Sequence, residues 1–494
     1  MGQEQTDIVV VGAGNAALCA AIAAAEQGAR VTVLEISTEE EKGGNTTYTH
    51  GSIRFAFQDG EDVRRLLPDM TDEQFAETDF GSYPKEQFFD DVSEMSNYRT
   101  DYDLVSILTN KSYETMQWLM AHNVKWMPIY GRQAYKIDGQ FKFWGNMVLE
   151  AVGGGVGLVD ALHREAMRLG VNILYETAAL DLITEERVIK GVKVRRTGQE
   201  RIIHCEAAIL ACGGFHANVA MRTQYLGPGW DTVHTRGCKY NVGDGLRMAM
   251  QLGARTTGNW SGAHAVGGDR YLPDYKEGFQ KLSYPFGILV NRDGKRFIDE
   301  GANFRNYTYA KIGREILKQP GQCAWQVFDA KAKPYLREEY NGRAVSKVSA
   351  PTLPELAQQM DGIDAAGFLQ EVSQFNAAVE PDKAFNPNIL DGKATKNLAV
   401  AKSNWANPIE DGPFEAYALT CGITFTYGGL KISKKAEVIH NDTTKIDGLY
   451  AAGEIVGGLY FDNYPGGAGL TSGAVFGRIA GTQAAKYSQK KVTN

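Results

Sequence analysis

Gly12, Gly14 and Ala17 form a G-x-G-x-x-A turn between the apolar run Ile8–Val11 and an alanine-rich stretch, and an acid, Glu35, closes the next apolar run. Each part of that pattern has a task in holding a dinucleotide. Gly12 permits the bend, Gly14 lets backbone approach a pyrophosphate, and Ala17 lets helix and strand pack closely. The helix N-terminus offers free N–H groups to the phosphates, and Glu35 accepts hydrogen bonds from a ribose. At the other end of the chain, residues 462–481 read DNYPGGAGLTSGAVFGRIAG. Six glycines there, four of them by Gly473, allow close backbone approach to a ligand at a helix entrance, where Tyr464 presents a phenol.

A second polar, glycine-rich turn, EKGGNTTYTHGSIRF at 41–55, follows the first unit directly. After a βαβ unit, such a turn reads as the segment that wraps a flavin's pyrophosphate and ring edge. Its candidate contacts are Gly44, Asn45, Thr46, Thr47, Gly51 and Ser52.

These residues need a scaffold, and its elements are visible as periodicities. Apolar residues recur at three and four over 102–124, predicting a helix. Residues 153–183 give a glycine loop, an amphipathic helix, a stop at Gly170 and a strand. Short β segments then lead to a buried strand ending at Cys212-Gly213-Gly214, and 243–254 is a further short helix. From about 263 to 390 the texture turns aromatic and charged, and IDGLYAAGEIVGG at 446–458 restores the style of the first unit. The expected organisation is α/β: a nucleotide-binding domain in two parts, 1–262 and 391–494, interrupted by an inserted domain over 263–390.

Composition restricts the partners. With 494 residues, 43% hydrophobic and 22% charged, the chain is long enough for more than one core. A net charge of −7 gives no basic surface for nucleic acid. The six cysteines are scattered without C-x-x-C spacing, so no metal, iron–sulfur or haem site is expected. No apolar run is long enough to span a membrane. The first strand starts almost at once, leaving no room for an export signal, and the expected compartment is the cytoplasm. The expected partners are a small molecule and a separate electron acceptor or donor.

Together the first turn with Glu35, GGNTT, AAILACGGF, GDGLRMAMQLGA, ILVNRDGKRFIDE and GLYAAGEIVGG…GRIAG resemble the FAD-dependent fumarate reductase/succinate dehydrogenase flavoprotein superfamily, in order and over nearly the whole chain. The resemblance implies a Rossmann-type FAD-binding domain with an inserted α+β capping domain. It also implies a substrate held between flavin and cap, and hydride exchange with flavin N5. On the cofactor side it implies Gly12, Gly14, Asn15, Ala16 and Glu35 from the first unit, with Ala179, Ala211, Gly213 and Asp244 from the middle of the chain. Glu454, Gly469 and Leu470 complete the set. Members with covalent flavin carry a histidine just before the position of Thr46, where this chain has Asn45. Non-covalent FAD is therefore expected, and His50 does not match an attachment site.

For catalysis the resemblance implies His264, at the start of the cap, and Arg305, at the place of the cap arginine that donates a proton, with one extra residue after Glu300. An arginine beside a developing carbanion stabilises charge whether or not it moves a proton. Dicarboxylate reductases carry His-His-Thr where this chain has Thr424-Phe425-Thr426, and an arginine clamp where it has Tyr464. A phenol does not replace a bidentate guanidinium, which argues against fumarate and succinate. Tyr464-Pro465-Gly466 instead resembles the ketosteroid dehydrogenases, in which the tyrosine polarises a ketone. Tyr284 is a further candidate for proton movement, beside Arg305.

The overall texture is most similar to proteins grouped with tricarballylate dehydrogenase. The expected reaction is thus α,β-desaturation of a carboxylic acid, by proton abstraction and hydride transfer to the flavin. The alternatives are a ketone-directed 1,2-dehydrogenase or ene-reductase, fumarate-reductase-like reduction of an activated alkene, and a flavin that only relays electrons.

Overall fold

The computed structural model describes residues 5–275, 282–340 and 347–492. Its first sheet grows from the strand that precedes the dinucleotide turn. Ile8–Val11 is buried along its length and lies parallel to Val31–Leu34 on one side and Ala207–Leu210 on the other. Asn172–Leu174 and Lys445–Ala451 extend this parallel core outward in the two directions. Helices cover both faces of such a sheet, so its strands are apolar throughout rather than alternating. At one edge Thr177–Glu185, Val188–Arg196 and Gln199–His204 add an antiparallel ribbon. This is the expected Rossmann-type arrangement, and the chain returns to it after the insertion.

Two helices hold the turn in place. Asn15–Glu26 leaves the turn, and the C-terminal helix Ala468–Val492 packs along it. Gly473, Gly477 and Gly481 recur every fourth residue, on one helical face. A Cβ at Gly477 would lie 2.3 Å from the Ala16 carbonyl oxygen, and one at Gly481 2.0 Å from that of Ala20. Facing alanines and glycines therefore set the helix separation. That packing carries the start of the C-terminal helix to the dinucleotide turn, where Asn15 Nδ2 donates to the Leu470 carbonyl at 2.8 Å. The helices expected over 102–124, within 153–183 and at 243–254 are observed as Tyr102–Ala121, Gly154–Arg168 and Asp244–Gln251.

The second sheet is built around Phe414–Thr426, which pairs antiparallel with Ala263–Asp269, Cys323–Phe328 and Lys347–Ala350 and parallel with His234–Thr235. Helices Leu353–Gln359 and Ala365–Ala378 bury Leu356, Phe368 and Phe375 in one core with Ala406, Ile409 and Phe414. The central strand of this second sheet, 414–426, follows the expected boundary at 390 in sequence. A strand buried along nearly all its length has the same apolar texture as the first sheet, so composition alone did not separate them. Arg305 opens a short helical turn at the start of Tyr309–Leu317, which packs on the Ala263–Asp269 strand.

Gly481→Ala should destabilise the protein by about 1–3 kcal/mol through overpacking, read as a lower denaturant midpoint. An unchanged midpoint would show that the two helices can separate without cost.

Candidate active site

The glycine turn and the cap face one continuous cleft. At its nucleotide end, Gly12 holds φ +104°, and a Cβ there would lie 2.5 Å from the Ala211 carbonyl oxygen, so no other residue fits. Gly14 precedes the helix without a side-chain cap. The Asn15 N–H is held by Thr46 Oγ1 at 3.0 Å, which ties the second turn to the first. Glu35 receives the N–H groups of Ala13 and Ser37, both at 2.9 Å, one on each carboxylate oxygen. Each oxygen keeps acceptor capacity toward the cleft. Burial raises the Glu35 pKa, and these hydrogen bonds work against that rise.

Most of the remaining expected cofactor residues line the same cleft. They are Gly14, Ala16, Gly44, Asn45, Thr46, Ser52, Ala179, Ala211, Gly213, Asp244, Glu454, Gly469 and Leu470. Asn45 is committed at both ends, donating to the Thr424 carbonyl at 3.0 Å and to Glu454 at 3.2 Å and accepting from Cys238 N–H. Glu454 also accepts from Asn241 and from the Thr426 N–H, so this carboxylate joins the second turn to the end of the long cap strand. Thr47 and Gly51 do not line the cleft. The Thr47 hydroxyl turns back to the Lys42 carbonyl, and Gly51 packs against the backbone of Gly154.

At the cap end, Arg305 is 3% exposed, and none of its three guanidinium nitrogens meets a hydrogen-bond acceptor among the described residues. The face of Trp144 supports it, 4.8 Å away. Burial, with the nearby Arg337 charge, pushes its pKa down to about 10, so it stays a cation at neutral pH. The segment that carries it is fastened to the opening loop. Asn306 accepts Gly466 N–H at 2.9 Å, and Asn463 Nδ2 donates to the Tyr307 carbonyl at 2.7 Å. Beneath both, buried Arg54 donates to the carbonyls of Gly466 and Gly145, each at 2.8 Å.

Tyr464 lines the cleft, and its hydroxyl shares a 2.6 Å hydrogen bond with that of Tyr309 from the cap helix. Burial raises the Tyr464 pKa, so at neutral pH it is a phenol, able to donate. His264 stacks on Phe425 at 5.1 Å and meets Tyr309 and Tyr464 edge-on, with neither ring nitrogen hydrogen-bonded. Burial, then the charge of Arg236, holds it well below the usual histidine range and therefore neutral. Tyr284 is not on the cleft. It is buried in the cap core with Leu289, Ile312 and Ile316, and its hydroxyl is taken by Thr308. Arg305, Tyr464 and His264 line the same cleft, whereas Tyr284 lies behind it, close enough to Arg305 for their charges to interact but with its hydroxyl on Thr308.

Residues that the sequence reading did not single out complete the wall: Tyr309, Arg236, Arg132 and Arg337. Arg236 donates to the Tyr48 carbonyl. No motif marks these residues, because separate elements bring them to the cleft.

A family model described as "FAD binding domain" matches residues 7–470. Fumarate reductase (cytochrome) of Shewanella frigidimarina is 29% identical over 499 residues, 99% of this chain and 78% of that protein. The 3-oxosteroid 1-dehydrogenase of Mycolicibacterium smegmatis is 28% identical over 369 residues, 68% of this chain and 63% of that protein. A solved structure, the open conformation of a flavocytochrome c3 fumarate reductase, superposes with a TM-score of 0.74 at 25% identity, covering 98% of this chain and 79% of that one.

The cradle fits FAD: a turn that admits only glycine, a helix start with no side-chain cap and a buried carboxylate with spare acceptors. Gly12→Ala should yield folded protein that loses its flavin absorbance on gel filtration, whereas retention of full FAD would contradict the assignment. Glu35→Ala should weaken FAD binding by about 10- to 100-fold, the range for losing a hydrogen bond to a charged group, measured by fluorescence titration of apoprotein.

Proposed function

The chain belongs to the FAD binding domain family and is an FAD-dependent oxidoreductase acting on CH–CH groups, and on that premise we propose that the bond it works on lies next to a carboxylate. One observation carries this reading: Arg305, a buried guanidinium on the cleft with no acceptor among the described residues for any of its N–H groups. A buried cation without a partner is costly, and a planar fork of donors matches a carboxylate. Non-covalent FAD, held at the glycine turns, supplies hydride acceptance or donation.

The chain's own residues do the rest. As an alkene is reduced, negative charge collects on the α-carbon and its carboxylate. Arg305 stabilises that charge in a dry site, where electrostatics are strong, and is placed to give the α-carbon its proton. In the desaturating direction the same group receives the proton, by microscopic reversibility. Tyr464, oriented by Tyr309, donates a hydrogen bond to a substrate oxygen, and neutral His264 offers a ring N–H beside it. Tricarballylate falls within this class, as do unsaturated mono- and dicarboxylates. Electrons reach or leave the flavin through a separate carrier.

The Tyr464–Tyr309 pair supports a second reading, in which two linked phenols polarise a ketone. The two are separable by anaerobic mixing of reduced enzyme with unsaturated carboxylic acids and with cyclic enones. The acids should reoxidise the flavin, and reoxidation by the enones alone would overturn the acid reading. Arg305→Gln should slow reoxidation by about 10²- to 10³-fold, the cost of losing one charge-stabilising donor, with FAD still bound. Arg305→Lys should recover little of it, because the planar fork is lost. Tyr464→Phe should cost about 10- to 10³-fold on the same grounds, and an unchanged rate would remove Tyr464 from the mechanism.

A further inference from the structure

Arg305 is not the only cation on its part of the cleft. Arg337 and Arg132 line the same space with His50. They come from unrelated segments. Arg337 belongs to the cap, where it is 4% exposed and its backbone N–H is fixed by Ser283 Oγ at 3.0 Å. Arg132 lies in the loop between the strands Trp126–Pro128 and Ala134–Ile137 of the other unit. Each has one carboxylate neighbour: Arg337 Nε lies 2.9 Å from Glu339, and Arg132 Nη2 3.1 Å from Glu150. Glu150 does not use up Arg132, whose Nη1 is buried without an acceptor among the described residues, as is the whole Arg305 guanidinium.

Three arginines and two glutamates leave this region with a surplus of positive charge. His50 does not add to it, because burial and then the charges of Arg337, Arg132, Arg236 and Arg305 hold its pKa near 2. The hydrogen bonds and ion pairs of Arg132 and Arg337 run to Glu150, Ser283 and Glu339, none of them in the glycine turns that serve the pyrophosphate. Desolvated arginines with spare N–H groups are completed by an anion.

We propose that Arg132 and Arg337, with His50 between cap and base, form a second carboxylate subsite beside Arg305, so that the substrate is a di- or tricarboxylate rather than a monocarboxylate. This rests on the acid-directed reading above. It also answers the absence of an arginine at position 464: the second carboxylate is clamped from the loop at 132 and from the cap instead.

The test uses oxidised holoenzyme, following the flavin absorbance change on titration with succinate and with its monomethyl ester. Succinate should bind about 10- to 100-fold more tightly, the range of a hydrogen bond to a charged group. Arg132→Gln and Arg337→Gln should each collapse the ratio toward one. Because Arg337→Gln removes an ion-pair partner of Glu339, the double variant Arg337→Gln/Glu339→Gln is measured beside it and should lose the preference equally. Equal affinity of the wild type for the two ligands, or a preference that survives in all three variants, would overturn the subsite while leaving the acid-directed function standing. Failure of both ligands to bind, with cyclic ketones binding instead, would remove the function and the subsite together.

Discussion

A buried guanidinium whose N–H groups meet no acceptor among the described residues is the constraint around which the cap end of this protein is arranged. Taking Arg305 out of water without a partner costs free energy that packing must offset. The structure meets that cost with the face of Trp144 and with the rigid docking of the segment that carries the arginine. A protein with no use for such a charge could replace it with an apolar side chain and gain stability. On the proposed reading, the charge is completed by a ligand that brings its own anion.

Placing that charge depends on contacts between distant parts of the chain. The loop at 463–466 meets the cap segment at 306–309 through Asn306, Asn463 and the Tyr309–Tyr464 pair, while Arg54 fixes the loop from below. The same loop leads into the C-terminal helix, whose glycines let it lie against the helix of the dinucleotide turn. Nucleotide cradle and substrate cleft are thus positioned by one continuous stretch, residues 463–481. A shift of the cap would move Arg305 and the partner of Tyr464 together.

Much of the nucleotide end was legible in the sequence because backbone geometry dictates it. A turn at φ +104° against another carbonyl admits only glycine, and an acid at the end of the second strand has one obvious task. Arg305, Tyr464 and His264 could be placed through local motifs, and all three line the cleft. The direction of the Tyr284 hydroxyl, which meets Thr308, was not legible, because a tyrosine near a hinge says nothing about where its side chain points. Arg132, Arg337 and Tyr309 carried no signal, since their meeting is a product of tertiary packing. That a strand beyond 390, Phe414–Thr426, is central to the second sheet was not legible for a related reason: it has the apolar texture of the first sheet.

The central claim is that Arg305 meets a substrate carboxylate. A crystal structure of the holoenzyme with a bound saturated dicarboxylate tests it most directly. The account predicts one carboxylate within hydrogen-bonding distance of the Arg305 guanidinium. A ligand oxygen resting on the Tyr464–Tyr309 pair, with Arg305 still facing no anion, would contradict it.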